Sequence, residues 1–394
     1  MSKVKRLIML NQMAGPLFCE LAEGLSNEFV DGVVLHTGHP DAKNININSS
    51  GNIQLITAPE YNRKSRLTRG LTWVRYLIST TKLILFSKKS DGFLLSSNPP
   101  ILGIWFWLLN FFKKNPYMVL VYDIYPDVLI EMSVVQQSNI IIKIWNWLNK
   151  KVYRDAKSIV TLGKHMAKRL STSNDLSLSK ISIIPPWVDT DFIKPLAYEN
   201  NPLAKNFNPG GKHIVLYSGN MGVSHDIDTM LGAAKQLRKR DDILFLFIGG
   251  GDKYQAVVDY QKSHQLDNIA IYPYQEESDL PYTMTLASIS LVALGGGAQE
   301  LMIPSKVFYY MAAGSAVIGI CSGESELNDI INTCDCGVCM EPGDPQNLAD
   351  KIEKLLQNPK ELDAYRYNSR KLVIDTYGRE IGIKRFISLF TGDF

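Results

Sequence analysis

From residue 213 onward, short apolar runs end one after another in glycine. HIVLYS (213–218) meets Gly219-Asn220-Met221-Gly222, ILFLFI (243–248) meets Gly249-Gly250-Gly251, and ISLVAL (289–294) meets Gly295-Gly296-Gly297. IAIYP (269–273) precedes Tyr274 and Gln275, and AVIGI (316–320) and a run at 337–340 follow. Continuous apolar runs of this length belong to strands covered on both faces, and the helical spacing between them predicts parallel crossovers. This half of the chain is expected to be a doubly wound α/β sheet. Such sheets take ligands at the carboxyl ends of their strands, where glycine lets backbone donors come close.

The first half alternates in the same way, with candidate strands at 7–10, 32–36, 53–57, 92–96, 118–122, 158–162 and 181–184. At 394 residues the chain is long for one core and suits two domains of about 200 residues each. Between Pro185 and Lys212 it turns rich in Pro, Asn and Gly without any sustained period, the texture of a linker. The expected division is a domain at 1–185, a linker at 186–212, a domain at 213–377 and a last helical segment at 378–394. That segment either caps the second domain or crosses back to the first. Asp189-Thr190-Asp191 matches a DxD metal pattern by letter but lies in the linker, away from a strand end, so no metal is expected there.

The net charge of +3 hides an asymmetry: residues 1–204 hold 24 Lys and Arg against 15 Asp and Glu, and residues 205–394 hold 18 against 24. From Tyr61 to Ser90 there are Arg63, Lys64, Arg66, Arg69, Arg75, Lys82, Lys88 and Lys89, with Trp73 and Tyr76 interleaved and no acid. The apolar run 101–112 ends at Lys113-Lys114, and IIIKIWNWLNKKVYR follows from Ile140. Cations beside aromatics suit an anionic membrane surface. A solvated helix face and a nucleic-acid patch are the alternatives, the latter without any accompanying motif. The run 101–112 has 12 residues where roughly 20 are needed to cross a bilayer. The opening MSKVKRLIML breaks at Asn11 and reads as a buried strand rather than a signal peptide. A cytoplasmic protein, peripheral on the inner face of the membrane, is expected. Of the five cysteines, three crowd into CDCGVC (334–339); without a fourth ligand or an even count they read as reduced structural thiols.

Two places are marked for chemistry. In LVALGGGAQELMIPSKVFYYMAAG (291–314), Pro304 suits the first turn of a helix, Ser305 can cap it, and Lys306 adds a cation at an end already favourable to anions. A diphosphate fits there, although a plain strand, turn and helix is the structural alternative. After the fifth strand, Asp123 and Asp127 in DIYPD offer acid or base chemistry, or simply an acidic helix start. Gly15, after the first strand, leaves backbone open to a ligand.

In order and spacing, LYSGNMGVSHDIDTML, FLFIGGGDK, YPYQEESDLPY, ISLVALGGG, IPSKVFYYMAAGSAVIGI and CGVCMEPGD resemble the family 4 glycosyltransferases of the GT-B fold, in which two Rossmann-like domains with parallel sheets face each other across a cleft. SSNPP (96–100), YDIYPD (122–127), SIVTLGKHMAKRL (158–170) and IIPPWVDTDF (183–192) are similar to the bacterial branch containing fucosamine and related amino-sugar transferases. The resemblance implies transfer of a sugar, such as an N-acetylated or deoxy amino sugar, from a nucleoside-diphosphate sugar, UDP foremost. The acceptor would be lipid-linked or a polysaccharide of O-antigen or exopolysaccharide synthesis, with retention of configuration and no metal or other cofactor. Carried over, Gly219, Asn220, Gly222 and Gly250 would shape the phosphate loop, with His225 beside it. Tyr274 and Gln275 would lie by the base, Pro304, Ser305 and Lys306 at the diphosphate, and Glu300 and Tyr309 near the ribose. Gly15, Asp123, Asp127 and Arg75 would serve the acceptor side, and Lys306, Asn220 and Asp123 the catalysis.

One departure from the family pattern stands out. Many members carry two glutamates eight positions apart, where this chain has Leu301 and Tyr309, with Glu300 one residue off. A tyrosine cannot grip two ribose hydroxyls as a carboxylate does. Two other readings stay open: a nucleotide-sugar epimerase on the same two-domain plan, and a non-catalytic nucleotide-binding subunit of a transferase complex, which the missing glutamates favour.

Overall fold

The computed structural model describes residues 4–40, 52–62, 65–131, 133–208, 210–223, 225–295 and 303–393. Contacts divide the chain into one unit of Met1–Pro185 with Gly382–Phe394 and another of Pro186–Ile381.

The first unit runs β1 (Arg6–Leu10), α1 (Pro16–Leu25), β2 (Val33–Thr37), β3 (Ile53–Thr57), α2 (Arg66–Leu85), β4 (Asp91–Ser96), α3 (Leu102–Asn110), β5 (Tyr117–Val121), α4 (Asp127–Glu131), α5 (Ile140–Asp155), β6 (Ser158–Thr161), α6 (Lys164–Asn174) and β7 (Ile181–Ile183). Its strands form one parallel sheet in the order β3-β2-β1-β4-β5-β6-β7. The apolar runs of β4 and β5 are buried end to end, as strands with helices on both faces must be. The chain winds outward from β1 to β3, then returns through α2 to β4 on the other side of β1. That reversal leaves a crevice beyond the carboxyl ends of β1 and β4.

The second unit repeats the plan. It comprises α7 (Ala204–Phe207), β8 (His213–Asn220), α8 (Ile227–Gln236), β9 (Ile243–Gly250), α9 (Tyr254–His264), β10 (Ile269–Tyr272), α10 (Leu280–Met284), β11 (Ile289–Ala293), α11 (Lys306–Ala312), β12 (Ala316–Ile320), α12 (Glu326–Thr333), β13 (Gly337–Met340), α13 (Pro345–Gln357) and α14 (Pro359–Thr376). The parallel order is β10-β9-β8-β11-β12-β13, so the reversal falls between β8 and β11. Side chains of β8 feed two cores in turn: Ile214 and Leu216 pack with Phe308, Leu327 and Val373, whereas Val215 and Tyr217 pack with Met230, Val257 and Leu348.

β8 and β11 pair at Ile289 with Val215 and Ser290 with Leu216, and then part. A side chain replaces the missing partner strand. The Ser218 amide donates to the Tyr310 hydroxyl at 2.7 Å, and that hydroxyl lies 3.2 Å from the Ser218 carbonyl oxygen, to which it donates.

Residues 186–212 are not a loose linker. Val188, Ile193 and Phe207 are buried in the second unit's core, and the Val188 amide donates to the Tyr377 carbonyl. Composition misleads here because the Asn side chains that look loop-like hold the backbone: Asn201 donates to the Tyr282 carbonyl and Asn208 to that of Lys212. Asp189 accepts the amides of Asp191 and Phe192, which makes its carboxylate a turn cap. The last helix, α15 (Arg379–Asp393), carries residues 382–394 into the first unit. There the Phe390 ring meets Phe29 edge to face at 5.5 Å, and Ile383 lies so close to Gly24 that a Cβ on that glycine would stand 2.4 Å away.

The guanidinium of Arg370 ties this second unit together, donating to the carbonyls of Ile193 and Ala312 at 2.8 Å and of Thr190 at 2.9 Å. Arg370→Met keeps the packing stem and strands three carbonyls, so urea unfolding should show about 3 kcal/mol lost. An unchanged midpoint would mean that water serves these carbonyls equally well.

Candidate functional site

The parting of β8 from β11 opens the second unit at the point where its topology reverses, and glycines keep backbone exposed there. β8 and β9 stay paired through Gly219 with Gly249 and Asn220 with Gly250. A Cβ on Gly249, at φ +142°, would lie 2.0 Å from the Gly219 carbonyl oxygen, so only glycine allows this closeness. The Asn220 side chain rests against Gly251, where a Cβ would stand 2.4 Å from its Oδ1. Over Gly250 lies the ring of Tyr274, which remains largely exposed.

Into this opening α11 brings Lys306. Its Nζ donates to the Tyr217 hydroxyl at 2.8 Å, sits 4.0 Å from the centroid of that ring, and would be 3.6 Å from a Cβ on Gly219. The residue keeps part of its surface exposed, yet burial of the ammonium end pushes its pKa down to about 7. Among the described residues no carboxylate contributes to that shift. The Tyr217 hydroxyl also lies 2.8 Å from the Asn220 carbonyl oxygen and 2.9 Å from His225 Nδ1, itself 2.8 Å from the same carbonyl. Burial first, and then the Lys306 charge, holds His225 below the usual histidine range, while burial raises Tyr217. Both are therefore uncharged at neutral pH. Lys253 adds a second cation, its Nζ donating to the His225 carbonyl at 2.9 Å and to Asp228 at 3.1 Å. A desolvated ammonium with no counter-ion among the described residues is stabilised by an incoming anion.

Gly219, Asn220, Gly222, His225, Gly250, Tyr274 and Lys306 thus gather as one cluster. Gly222 belongs to it through its amide, 3.4 Å from His225 Nδ1. Other expectations change. α11 starts at Lys306, not at Pro304, and Ser305 stands at the cap position in helical conformation with no side-chain cap bond. Its hydroxyl is therefore not consumed by capping. The Gln275 side-chain amide donates to the Pro273 carbonyl at 2.8 Å, turned to its own loop. Tyr309 is half-buried against the core beneath α11. Glu300 and Leu301 lie outside the described residues.

In the first unit, Gly15 caps α1 with nothing within 4 Å of its missing Cβ, at the β1/β4 reversal. Asp123 follows β5; its amide donates to Ser97 Oγ at 3.2 Å, and burial raises its carboxyl pKa. Asp127 has partners within its own unit. Its buried carboxylate accepts from Arg169 Nε at 2.7 Å and Ser173 Oγ at 3.3 Å, clamping α4 to α6 instead of awaiting an acceptor. Arg75 is exposed midway along α2.

Sequence reasoning missed Tyr217, Tyr310 and Lys253. Tyr217 lies inside the apolar run HIVLYS, and only its position two residues before Gly219 hinted that its hydroxyl would reach the strand end. Tyr310 is four residues from Lys306, one helical turn, a spacing that places both on one side of α11.

Residues 200–372 match the family Glycosyl transferases group 1. The "Probable glycosyltransferase WbjE" of Pseudomonas aeruginosa is 25% identical over 333 residues, covering 83% of this chain and 81% of the relative. The structure of HepE of Anabaena in complex with UDP is similar with a TM-score of 0.74 and 10% identity, over 98% of this chain and 99% of its own. WaaG, a glycosyltransferase involved in lipopolysaccharide biosynthesis, has a TM-score of 0.70 and 13% identity, over 98% and 100%. The second unit is accordingly a glycosyl transferases group 1 domain, and the chain is a glycosyltransferase of the GT-B fold.

Proposed function

We propose that the chain transfers a sugar from a UDP-linked donor to a lipid-linked or polysaccharide acceptor in bacterial surface-glycan synthesis, at the inner face of the membrane. The observation that carries this reading is the Lys306 ammonium, held on Tyr217 beside the backbone of Gly219 with no counter-ion among the described residues. A nucleoside diphosphate supplies that counter-ion. HepE, which shares the fold, was solved with UDP, and WaaG acts in lipopolysaccharide biosynthesis. Tyr274 would flank the base, with Gln275 next to it. Asn220, Gly222 and His225 would surround the phosphates.

As the bond from the anomeric carbon to the leaving oxygen breaks, negative charge grows on the diphosphate. Lys306 and the loop amides meet that charge where little water competes, which is where fixed donors and cations contribute most. The acceptor hydroxyl would attack from the same face, pass its proton to the leaving phosphate and so retain the configuration. Gly15, Asp123 and Arg75 of the first unit would bind the acceptor. The donor sugar would be an N-acetylated or deoxy amino sugar.

A thermal-shift panel of UDP-, GDP-, CMP- and ADP-sugars tests the donor assignment. UDP-sugars alone should stabilise the protein, by about 2.7 kcal/mol at a hundredfold excess over the dissociation constant. Stabilisation by none would sink it. In transfer assays Lys306→Met should lower turnover at least about a hundredfold while the unliganded melting profile survives, and the product anomer read by NMR should match the donor. Full activity in that variant would remove Lys306 from the chemistry.

The lysine also sets a pH dependence. Because its folded pKa lies near 7, below the usual 10.5, the unfolded chain holds a proton between those values that the folded chain lacks. Its contribution to stability without ligand therefore rises from about pH 7 to about pH 10. Binding of the dianion runs the other way, since it needs the charged form. UDP affinity measured by calorimetry should weaken from about pH 6 to about pH 9 in the parent chain, and Lys306→Met should abolish that slope. An equal slope in the variant would assign it to another group.

A further inference from the structure

Three neighbouring helices of the first unit turn apolar side chains to water. α2 packs on α3 and α3 on α5, with Trp105 Nε1 donating to Thr81 Oγ1 at 3.3 Å across the first seam. On α2 the inward face is Tyr76, Leu77, Thr80 and Ile84, all buried. Its outward face is equally apolar: Leu67, Leu71, Val74, Ile78 and Leu85 are exposed and follow one another at the spacing of a single stripe. α3 leads into Phe111 and Phe112, the latter 90% exposed. α5 exposes Ile140, Ile141, Ile144 and Trp147. Between α3 and α5 runs a groove of about 250 Å³ lined entirely by apolar residues, among them Ile104, Trp105, Leu108 and Trp145.

Charge says what covers this face. From the start of α2 to its end, and through α3 and the turn after it, there is no acidic residue, while Arg69, Arg75, Lys82, Lys113 and Lys114 are interspersed. α5 adds Lys143 and Lys151, the latter lying 5.4 Å over the Trp147 ring, while Lys150 is paired with Asp175 at 2.6 Å; the helix ends in its single acid, Asp155, which accepts from Trp107 Nε1. The apolar centre of a protein interface is depleted in lysine. Here lysines and apolar side chains alternate across one surface, which asks for a partner that is apolar within and anionic at its boundary. Among the described residues no helix is long and apolar enough to cross a membrane, so the contact would be from one side.

We infer that the α2, α3 and α5 face docks onto an anionic bilayer, with the Phe111–Phe112 corner and Trp147 entering the headgroup layer and the surrounding cations on lipid phosphates. The inference deepens the proposed reading, which places transfer at a membrane, by naming the surface that meets it. It needs neither donor nor acceptor, so vesicle binding and sugar transfer fail independently.

The test is co-sedimentation of the full chain with vesicles of phosphatidylcholine alone and of phosphatidylcholine with phosphatidylglycerol in equal parts. Binding should require phosphatidylglycerol and weaken with salt. Replacing two surface cations in Lys113→Gln/Lys114→Gln should lower the partition coefficient about thirtyfold, near fivefold for each. Phe111→Ser/Phe112→Ser should weaken binding while leaving the melting temperature unchanged, since neither ring is buried. Equal binding to both vesicles, binding to neither, or variants that partition like the parent chain would overturn the inference. So would concentration-dependent dimerisation that these substitutions abolish in the absence of lipid.

Discussion

Much of the second unit depends on one refusal to pair. A parallel sheet is most stable when every strand is bonded along its length, yet β8 and β11 part after two residues. The loss is offset because Tyr310 supplies a hydroxyl that bonds both polar groups of Ser218, something a single hydroxyl can do as donor and acceptor at once. That substitution keeps the crevice open without leaving buried backbone unsatisfied. It also fixes the height of α11, and with it the residue that begins the helix.

What the crevice then contains follows from solvation. Burial strips much of the hydration from the Lys306 ammonium, and what replaces it is the hydroxyl and aromatic face of Tyr217, with a histidine nearby that burial, and then the lysine's charge, keeps neutral. Each is a weak substitute for hydration. An anion against the ammonium would offset that lost hydration, and the cation–π contact with Tyr217 keeps the lysine aimed. Preorganisation of this sort costs stability, and the paired glycines of β8 and β9 carry a related cost through the entropy of the unfolded chain.

The layered architecture was legible because its signal is repeated. The central strands are nearly uninterrupted apolar runs, and the thirteen strands among the described residues, in two parallel sheets, leave little freedom for another fold. The glycine ends of β8 and β9 were legible for the same reason, since Gly219, Gly249 and Gly251 hold positive φ values that other residues rarely adopt. Side-chain pairing was less legible. Asp123 and Asp127 are indistinguishable as letters, and only the distance to Arg169 shows that the second is a clamp. Residues 186–212 looked like a linker because composition records how polar a segment is, not whether its amides find carbonyls. Tyr217 hid in a core pattern, since a buried ring and a working hydroxyl obey the same periodicity.

The route of α15 bears on how the chain is made. The first unit contains residues 1–185 and also 382–394, so the Phe29 ring meets Phe390 only after the whole second unit has left the ribosome. The second unit, by contrast, is continuous in sequence and can close as soon as it emerges. Synthesis therefore presents the N-terminal sheet first but supplies α15 only after the second unit, and α1 must wait with its Gly24 surface uncovered through the translation of nearly two hundred residues. Domains usually complete in the order of synthesis. In this chain the half that begins first is the half that finishes last.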